Sequence, residues 1–207
     1  MSILAAKGFT AGGAAIGIKE SGAKDLTIIG AAGEESLVAA AVFTTNRLQA
    51  APVQVSKRHM AAQQGIRAVV ISSGNANAAT GARGISDAEA MCQATAAQLG
   101  CAAEQVLVCS TGGIGQPLPI DLITVGIAAL APQLGDTPEH AQAAAEGILT
   151  TDTRTKQATA QVNGPDGAVY NVGGITKGAG MIARRWRPCS RSSPPMHLCI
   201  RTGGSPL

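Results

Sequence analysis

The residues best suited to chemistry lie in four short stretches of small and polar side chains. Residues 175–183 hold one lysine, Lys177, beside Gly178-Ala179-Gly180. Two glycines flanking one residue let a backbone bend tightly and approach a neighbour. The lysine puts a compact positive charge at that bend. Thr-Lys-Gly is also a common exit from a strand, with the lysine in water. Residues 110–115, Ser-Thr-Gly-Gly-Ile-Gly, read as a glycine turn between a strand and a helix. Such a turn presents backbone N–H groups to negative charge. Phosphate binding, an oxyanion hole and a bare tight turn all fit. The Gly-Lys-Ser/Thr ending of a phosphate loop is absent. Thr150-Thr151-Asp152-Thr153 can satisfy free helix carbonyls or receive a substrate. Asn75 and Asn77, in the small polar run 72–81, suit hydrogen bonds to their own loop, or contact with a ligand.

The elements that must position these stretches are mixed. Short strands around turns are expected within 6–19, and apolar strands at 26–30, 37–44, 67–72 and 105–109. Strand 67–72 has the continuous apolar centre of a strand covered on both faces. Ser86 and Glu89 form a capping box, with Ile85 and Ala90 as staple, for a helix ending at Gly100. A second helix is expected from Ile120, after Pro117 and Pro119. A third starts at Thr137-Pro138 and runs to Leu149. A hairpin pairs 158–162 with 168–172 around Asn163-Gly164-Pro165-Asp166-Gly167. Hairpins together with strand–helix units indicate a layered α/β or α+β protein, not a purely parallel sheet.

The chain of 207 residues is long enough for a real core. Its apolar content is 45% but its aromatic content only 2%, so thin layers of Ala, Gly and Val must pack closely. No run of eighteen apolar residues offers a membrane span. The first seven residues lack a signal-peptide pattern. Cys92, Cys101 and Cys109 sit in apolar patterns without metal-ligand spacing and read as reduced core residues, so a cytoplasmic location is expected and no metal. Charge is split unevenly. Residues 1–183 carry eleven Lys and Arg against thirteen Asp and Glu, whereas 184–207 carry five Arg, no acid, the single Trp and four of the ten prolines. A basic tail is compatible with nucleic acid, but the body gives no reason to expect it.

Six stretches, in order, are similar to the ornithine acetyltransferase family, also called glutamate N-acetyltransferase, of arginine biosynthesis. They are Lys7-Gly8-Phe9, Val42-Phe43-Thr44-Thr45-Asn46-Arg47, Ser73-Gly74-Asn75-Ala76-Asn77-Ala78, Cys109-Ser110-Thr111-Gly112-Gly113-Ile114-Gly115, Thr150-Thr151-Asp152-Thr153 and residues 175–183. The resemblance covers residues 1–183. It implies a layered αββα fold and a precursor that cuts itself into α and β subunits of an α₂β₂ assembly. The freed N-terminal threonine of β is then the nucleophile that takes acetyl from N-acetylornithine and hands it to glutamate. Use of acetyl-CoA as a further source is left open. Such a threonine uses its own α-amine as base, in keeping with three histidines, His59, His140 and His197, in no triad-like setting. By the resemblance Thr111 and Gly112 form the oxyanion hole, and Thr151 and Lys177 bind substrate, Lys177 being suited to a carboxylate. No cofactor is implied. Two alternatives stand beside it: a related N-terminal-nucleophile aminopeptidase or amidase, and a non-catalytic phosphate- or nucleotide-binding protein.

The resemblance breaks after Ala183. The family continues roughly Pro-x-Met-Ala-Thr-Met-Leu, with cleavage before the threonine. This chain has Arg184-Arg185-Trp186-Arg187-Pro188-Cys189, and Pro188 occupies the threonine's place. Codons for residues 185–196 can be chosen so that the frame beginning at each third base reads Met-Ala-Thr-Met-Leu-Ala-Phe-Ile-Ala-Thr-Asp. The expectation is one base lost near codon 184, in the gene or its sequencing, giving a non-native, disordered tail over residues 184–207; the alternative is a genuine divergent tail. Sequencing the gene through this junction checks it. A missing base confirms the shift; two intact codons at the junction, with the same protein downstream, end the idea.

Overall fold

The computed structural model describes residues 2–164, 167–178 and 197–201. Four strands build the first sheet: β1 (Phe9–Ala14), β2 (Leu26–Ala31), β3 (Ala68–Asn75) and β4 (Val106–Gly113), in the order β1-β2-β3-β4. β1, β2 and β3 pair antiparallel, and β3 pairs β4 parallel. Four helices accompany them: α1 (Ala51–Ala61), α2 (Gly81–Leu99), α3 (Ile120–Leu130) and α4 (Pro138–Gly147). The second sheet has the order β5-β6-β7, with β5 (Lys156–Asn163), β6 (Val169–Thr176) and β7 (His197–Arg201) all antiparallel.

Successive residues of β2 and β3 point to opposite faces, and both faces are covered. Leu26, Ile28 and Val70 join a core with Val55 of α1, Met91 of α2 and Ile123 of α3. Ile29, Val69 and Ile71 join a second core with Ala141, Ala144 and Ile148 from α4 and its end, and with Ile175 of β6. Small residues make the layers thin. A β-carbon on Gly13 of β1 would stand 2.1 Å from the Ala143 carbonyl oxygen, and one on Gly147 would stand 2.2 Å from Thr27 Oγ1.

Four expectations change, and one element is new. The helix expected from Ser86 begins five residues earlier, at Gly81, so Ser86 lies inside α2 and caps nothing; Gly100 does close it, in the left-handed region at φ 62°. Residues 110–113 are not a turn. β4 runs through them because its pairing with β3 continues to Gly113. Residues 37–44 form no strand; a single bridge joins Leu37 to Ile66, and Val38 and Val42 are 104% and 90% exposed. β propensity alone does not hold a strand without a partner for its N–H and C=O groups. α1 is an element the sequence reading left unassigned. Finally, residues 197–201 of the tail do join the body, as β7 on the edge of β6. An open strand edge accepts any short extended segment whose backbone can complete its ladder, and Leu198-Cys199-Ile200 is such a segment.

α1 shows why its pattern was hard to read. Its buried side includes Pro52, Val55, Ser56 and His59, half of them polar. The polar pair serves β4. Ser56 Oγ donates to the Val108 carbonyl at 2.8 Å and accepts the Val108 N–H at 3.0 Å, and His59 Nδ1 lies 2.8 Å from the Val106 carbonyl oxygen. β4 is an edge strand, and these side chains satisfy backbone groups that otherwise cost about 1–3 kcal/mol each when buried unpaired.

Gly13→Ala tests the thin-layer packing. The added methyl meets backbone that cannot yield, so stability falls by about 1–3 kcal/mol in urea unfolding followed by circular dichroism. Gly33→Ala, where a β-carbon meets nothing within 4 Å, leaves the midpoint unchanged.

Candidate functional site

β3 and β4 end in glycines that touch. Gly112 has φ 139°, and a β-carbon on it would stand 2.2 Å from the carbonyl carbon of Gly74. Only glycine tolerates both the angle and the approach. Thr111, paired with Ser73, shares that residue's face of the sheet. Ser73 Oγ donates to the Gly147 carbonyl at 2.6 Å, and Thr27 Oγ1 donates to Ala144 O at 3.0 Å. The sheet therefore satisfies two carbonyls at the end of α4. Thr150 and Asp152 are left for another task.

That task is Lys177, which directly follows β6. Its Nζ donates to Thr111 Oγ1 and to Thr150 Oγ1, both at 2.7 Å. The next residue, Gly178, donates its N–H to Asp152 Oδ1 at 2.7 Å. The Lys156 ammonium also bonds that carboxylate, whose side chain is fully buried. Three segments, β4, the 150–152 loop and the end of β6, thus meet on one cation. Burial lowers the pKa of Lys177 from its ordinary value; the Asp152 charge raises it and Lys156 lowers it further. Burial pushes the Asp152 pKa up, but hydrogen bonds from Lys156 and the Gly178 N–H, with the charges of Lys156 and Lys177, bring it below the ordinary value.

The expected site residues come together only in part. Thr111, Gly112 and Lys177 are neighbours, but the threonine on Lys177 is Thr150, whereas Thr151 is exposed. Pro188 lies outside the described residues. Thr150 and Asp152 were readable as a polar cluster after a helix; which member faced the lysine was not, because it depends on where the sheet ends α4. Asn75 and Asn77 brace their loop, in part against distant backbone: Asn75 ties it to the segment between β4 and α3, and Asn77 ties it to α2. Asn75 Nδ2 donates to the carbonyls of Gln116 and Pro117 at 3.1 and 3.0 Å, Asn75 Oδ1 accepts the Asn77 N–H at 2.8 Å, and Asn77 Nδ2 donates to Gly84 O at 2.8 Å. His59 is held on β4, and His140 Nδ1 lies 2.8 Å from Thr137 Oγ1, so neither approaches Lys177. Burial pushes the Cys92 thiol up to about 12, an inert core residue.

A four-stranded sheet with α1, α2 and α3 on one face and α4 with β6 on the other, and a cation joining the end of β4 to the end of β6, make a layered α/β sandwich of the N-terminal-nucleophile type. The chain belongs to the ArgJ family, whose family model matches residues 10–186. It is 46% identical over 184 residues to the arginine biosynthesis bifunctional protein ArgJ of Streptomyces coelicolor, covering 88% of this chain and 45% of that one. The ArgJ of Neisseria meningitidis is 45% identical over 166 residues, covering 80% and 39%. The chain thus spans less than half the length of these relatives. Two crystal structures are similar. ArgJ of Bacillus halodurans gives a TM-score of 0.82 at 41% identity, covering 88% of this chain and 93% of that chain. Ornithine acetyltransferase of Mycobacterium tuberculosis, complexed with ornithine, gives 0.80 at 40% identity, covering 88% and 94%.

The buried Asp152 gives acid sensitivity with a definite sign. Its folded pKa lies below the unfolded value of 3.8, so the stability it contributes is complete above that value and is lost as pH falls through the lower, folded one. Asp152→Asn is therefore less stable than the parent near neutral pH, and thermal melting shows the gap closing as the pH is taken below about 4.

Proposed function

We propose that the chain is the α part of an acetyltransferase that moves acetyl from N-acetylornithine to glutamate through an N-terminal threonine of a β part, in the cytoplasm. The observation that carries this is Lys177 held at 2.7 Å from Thr111 Oγ1, beside Gly112, in a member of the ArgJ family. The coverage figures support a precursor cut in two: the chain matches 93% of one solved chain but 45% of a curated relative. The family match ends at residue 186, close to where the frame is inferred to shift.

In this reading Thr111 is a donor. Its oxygen accepts the Lys177 N–H, which turns its own O–H outward and polarises it, since hydrogen bonds in a chain strengthen one another. Attack of the β threonine hydroxyl on the acetyl carbonyl, with its α-amine taking the proton, forms a tetrahedral oxyanion. The Thr111 hydroxyl and the Gly112 N–H meet that oxygen. Collapse returns the proton to the ornithine α-nitrogen, which leaves, and acetyl remains on threonine. Glutamate's amine, giving its proton to the freed α-amine, then attacks the same carbonyl; the second oxyanion collapses by breaking the bond to threonine Oγ, which takes that proton back and leaves as the hydroxyl, with acetyl on glutamate. Lys177 retains N–H capacity for a substrate carboxylate, and Thr150 fixes its direction. The engaged side chains of Asn75 and Asn77 and the extended backbone at residues 110–113 favour this reading over a phosphate cradle.

In the 207-residue chain Pro188 stands in the nucleophile's place, so it neither cleaves itself nor turns over. Restoring one base near codon 184 gives a longer precursor that cleaves before the restored threonine and transfers acetyl from N-acetylornithine to glutamate. An uncut precursor, or a cut one inactive with both substrates, refutes the proposal. In that enzyme Thr111→Ala lowers kcat by about 100-fold or more while KM changes little, measured by steady-state kinetics.

A further inference from the structure

The loop before β2 carries a charged group that the acetyltransfer reading does not use. Asp25 is fully buried, and its carboxylate is wrapped by four consecutive backbone N–H groups. Oδ1 accepts from Ile16 at 2.7 Å; Oδ2 accepts from Gly17 at 3.2 Å, Ile18 at 2.7 Å and Lys19 at 3.0 Å. A charged acceptor bound this way makes a short loop rigid, because each charge-assisted bond is stronger than a neutral one. The loop it fixes leans on the oxyanion wall. A β-carbon on Gly74 would stand 2.8 Å from Ile18 Cγ2 and 3.3 Å from Lys19 Cγ. Gly74 in turn backs Gly112, and the next residue pair along the strands is Ser73 with Thr111, the residue that holds Lys177. Lys19 and Lys177 therefore reach the same end of the β3–β4 pair from two sides. Among the described residues the Lys19 ammonium donates to the Lys24 carbonyl at 2.5 Å, using one of its three N–H groups.

We propose that Lys19 is a further substrate-binding residue, a second ammonium that meets the carboxylate engaged by Lys177, and that Asp25 is its positioning residue. The assignment rests on the acetyltransferase reading. The loop that Asp25 fixes sets the Lys19 stem against Gly74, and Lys177 is held on Thr111, one residue along the paired strand, so the two ammonium groups flank the same end of the β3–β4 pair. Burial lowers the Lys19 pKa, Asp25 raises it, and the Lys177 charge lowers it again, in keeping with that proximity. Facing charges at the pair are Asp25 for Lys19, and Asp152 and Lys156 for Lys177. A single carboxylate accepts from both ammonium groups at once. The aliphatic stem of Lys19 over Gly74 meanwhile keeps water off the glycine wall.

The test compares N-acetylornithine with its α-carboxamide, which has the same shape without the charge. In the restored enzyme Lys19→Gln lowers kcat/KM for the carboxylate by about tenfold or more and leaves the carboxamide within about twofold. Lys19→Arg recovers most of the loss, and Asp25→Asn narrows the preference for the carboxylate as Lys19→Gln does. Equal losses on both substrates make Lys19 a pin for its loop and overturn the assignment. Calorimetric titration of the 207-residue chain gives a readout without turnover. The carboxylate binds more tightly than the carboxamide, and Lys19→Gln erases the difference. No difference in the parent chain overturns the assignment too. A restored enzyme that transfers no acetyl defeats the acetyltransferase reading, while the titration still decides what Lys19 does.

Discussion

The contact between Gly74 and Gly112 is the constraint from which the site follows. Two backbones this close exclude any side chain at Gly112, where a β-carbon would fall 2.2 Å from the Gly74 carbonyl carbon. The closeness keeps β3 and β4 paired beyond their apolar centres. Because strand residues alternate faces, that pairing puts Thr111 on the same face as Ser73, the face that carries α4 and β6. Lys177 can then reach a threonine sixty-six residues away in the chain.

The polar side chains around this contact divide into two sets. One set finishes backbone that secondary structure leaves open: Ser56 and His59 on the edge of β4, Thr27 and Ser73 on the last carbonyls of α4, Asn75 on the segment before α3 and Asn77 on α2. The other set aims cations. Asp152 ties Gly178 and Lys156, and Asp25 ties the loop that ends in Lys19. Each carboxylate accepts backbone N–H groups beside a lysine, and Asp152 also pairs directly with Lys156. These bonds fix the backbone from which Lys177 and Lys19 extend.

Much of the fold was legible because its signals are local. β2 and β3 announce themselves by continuous apolar runs, the hairpin β5–β6 by its Asn-Gly turn, α3 by the prolines before it and α4 by Pro138 in its first turn. The misses share one cause. α1 buries Ser56 and His59 because β4 needs hydrogen-bond partners there, and residues 110–113 stay extended because β3 lies alongside. Neither partner is visible within a window of neighbouring residues. Residues 37–44 have the composition of a strand and lack the neighbour that would make them one.

For the site, the sequence by itself determined the chemical repertoire: a lysine among glycines, a glycine pair after a buried strand, a threonine–aspartate cluster after a helix, and no histidine in a catalytic setting. The change to an Arg- and Pro-rich composition after Ala183 is likewise a property of the sequence alone. Tertiary structure decided which of these groups meet. It chose Thr150 over Thr151 as the partner of Lys177, made Asp152 the anchor of Gly178, and brought Asp25 and Lys19 to the glycine wall. The reason is physical. Residue type fixes what a group can donate, accept or attack, but a hydrogen bond acts over about 3 Å, and only the packing of the layers brings groups that lie far apart in the chain within that distance.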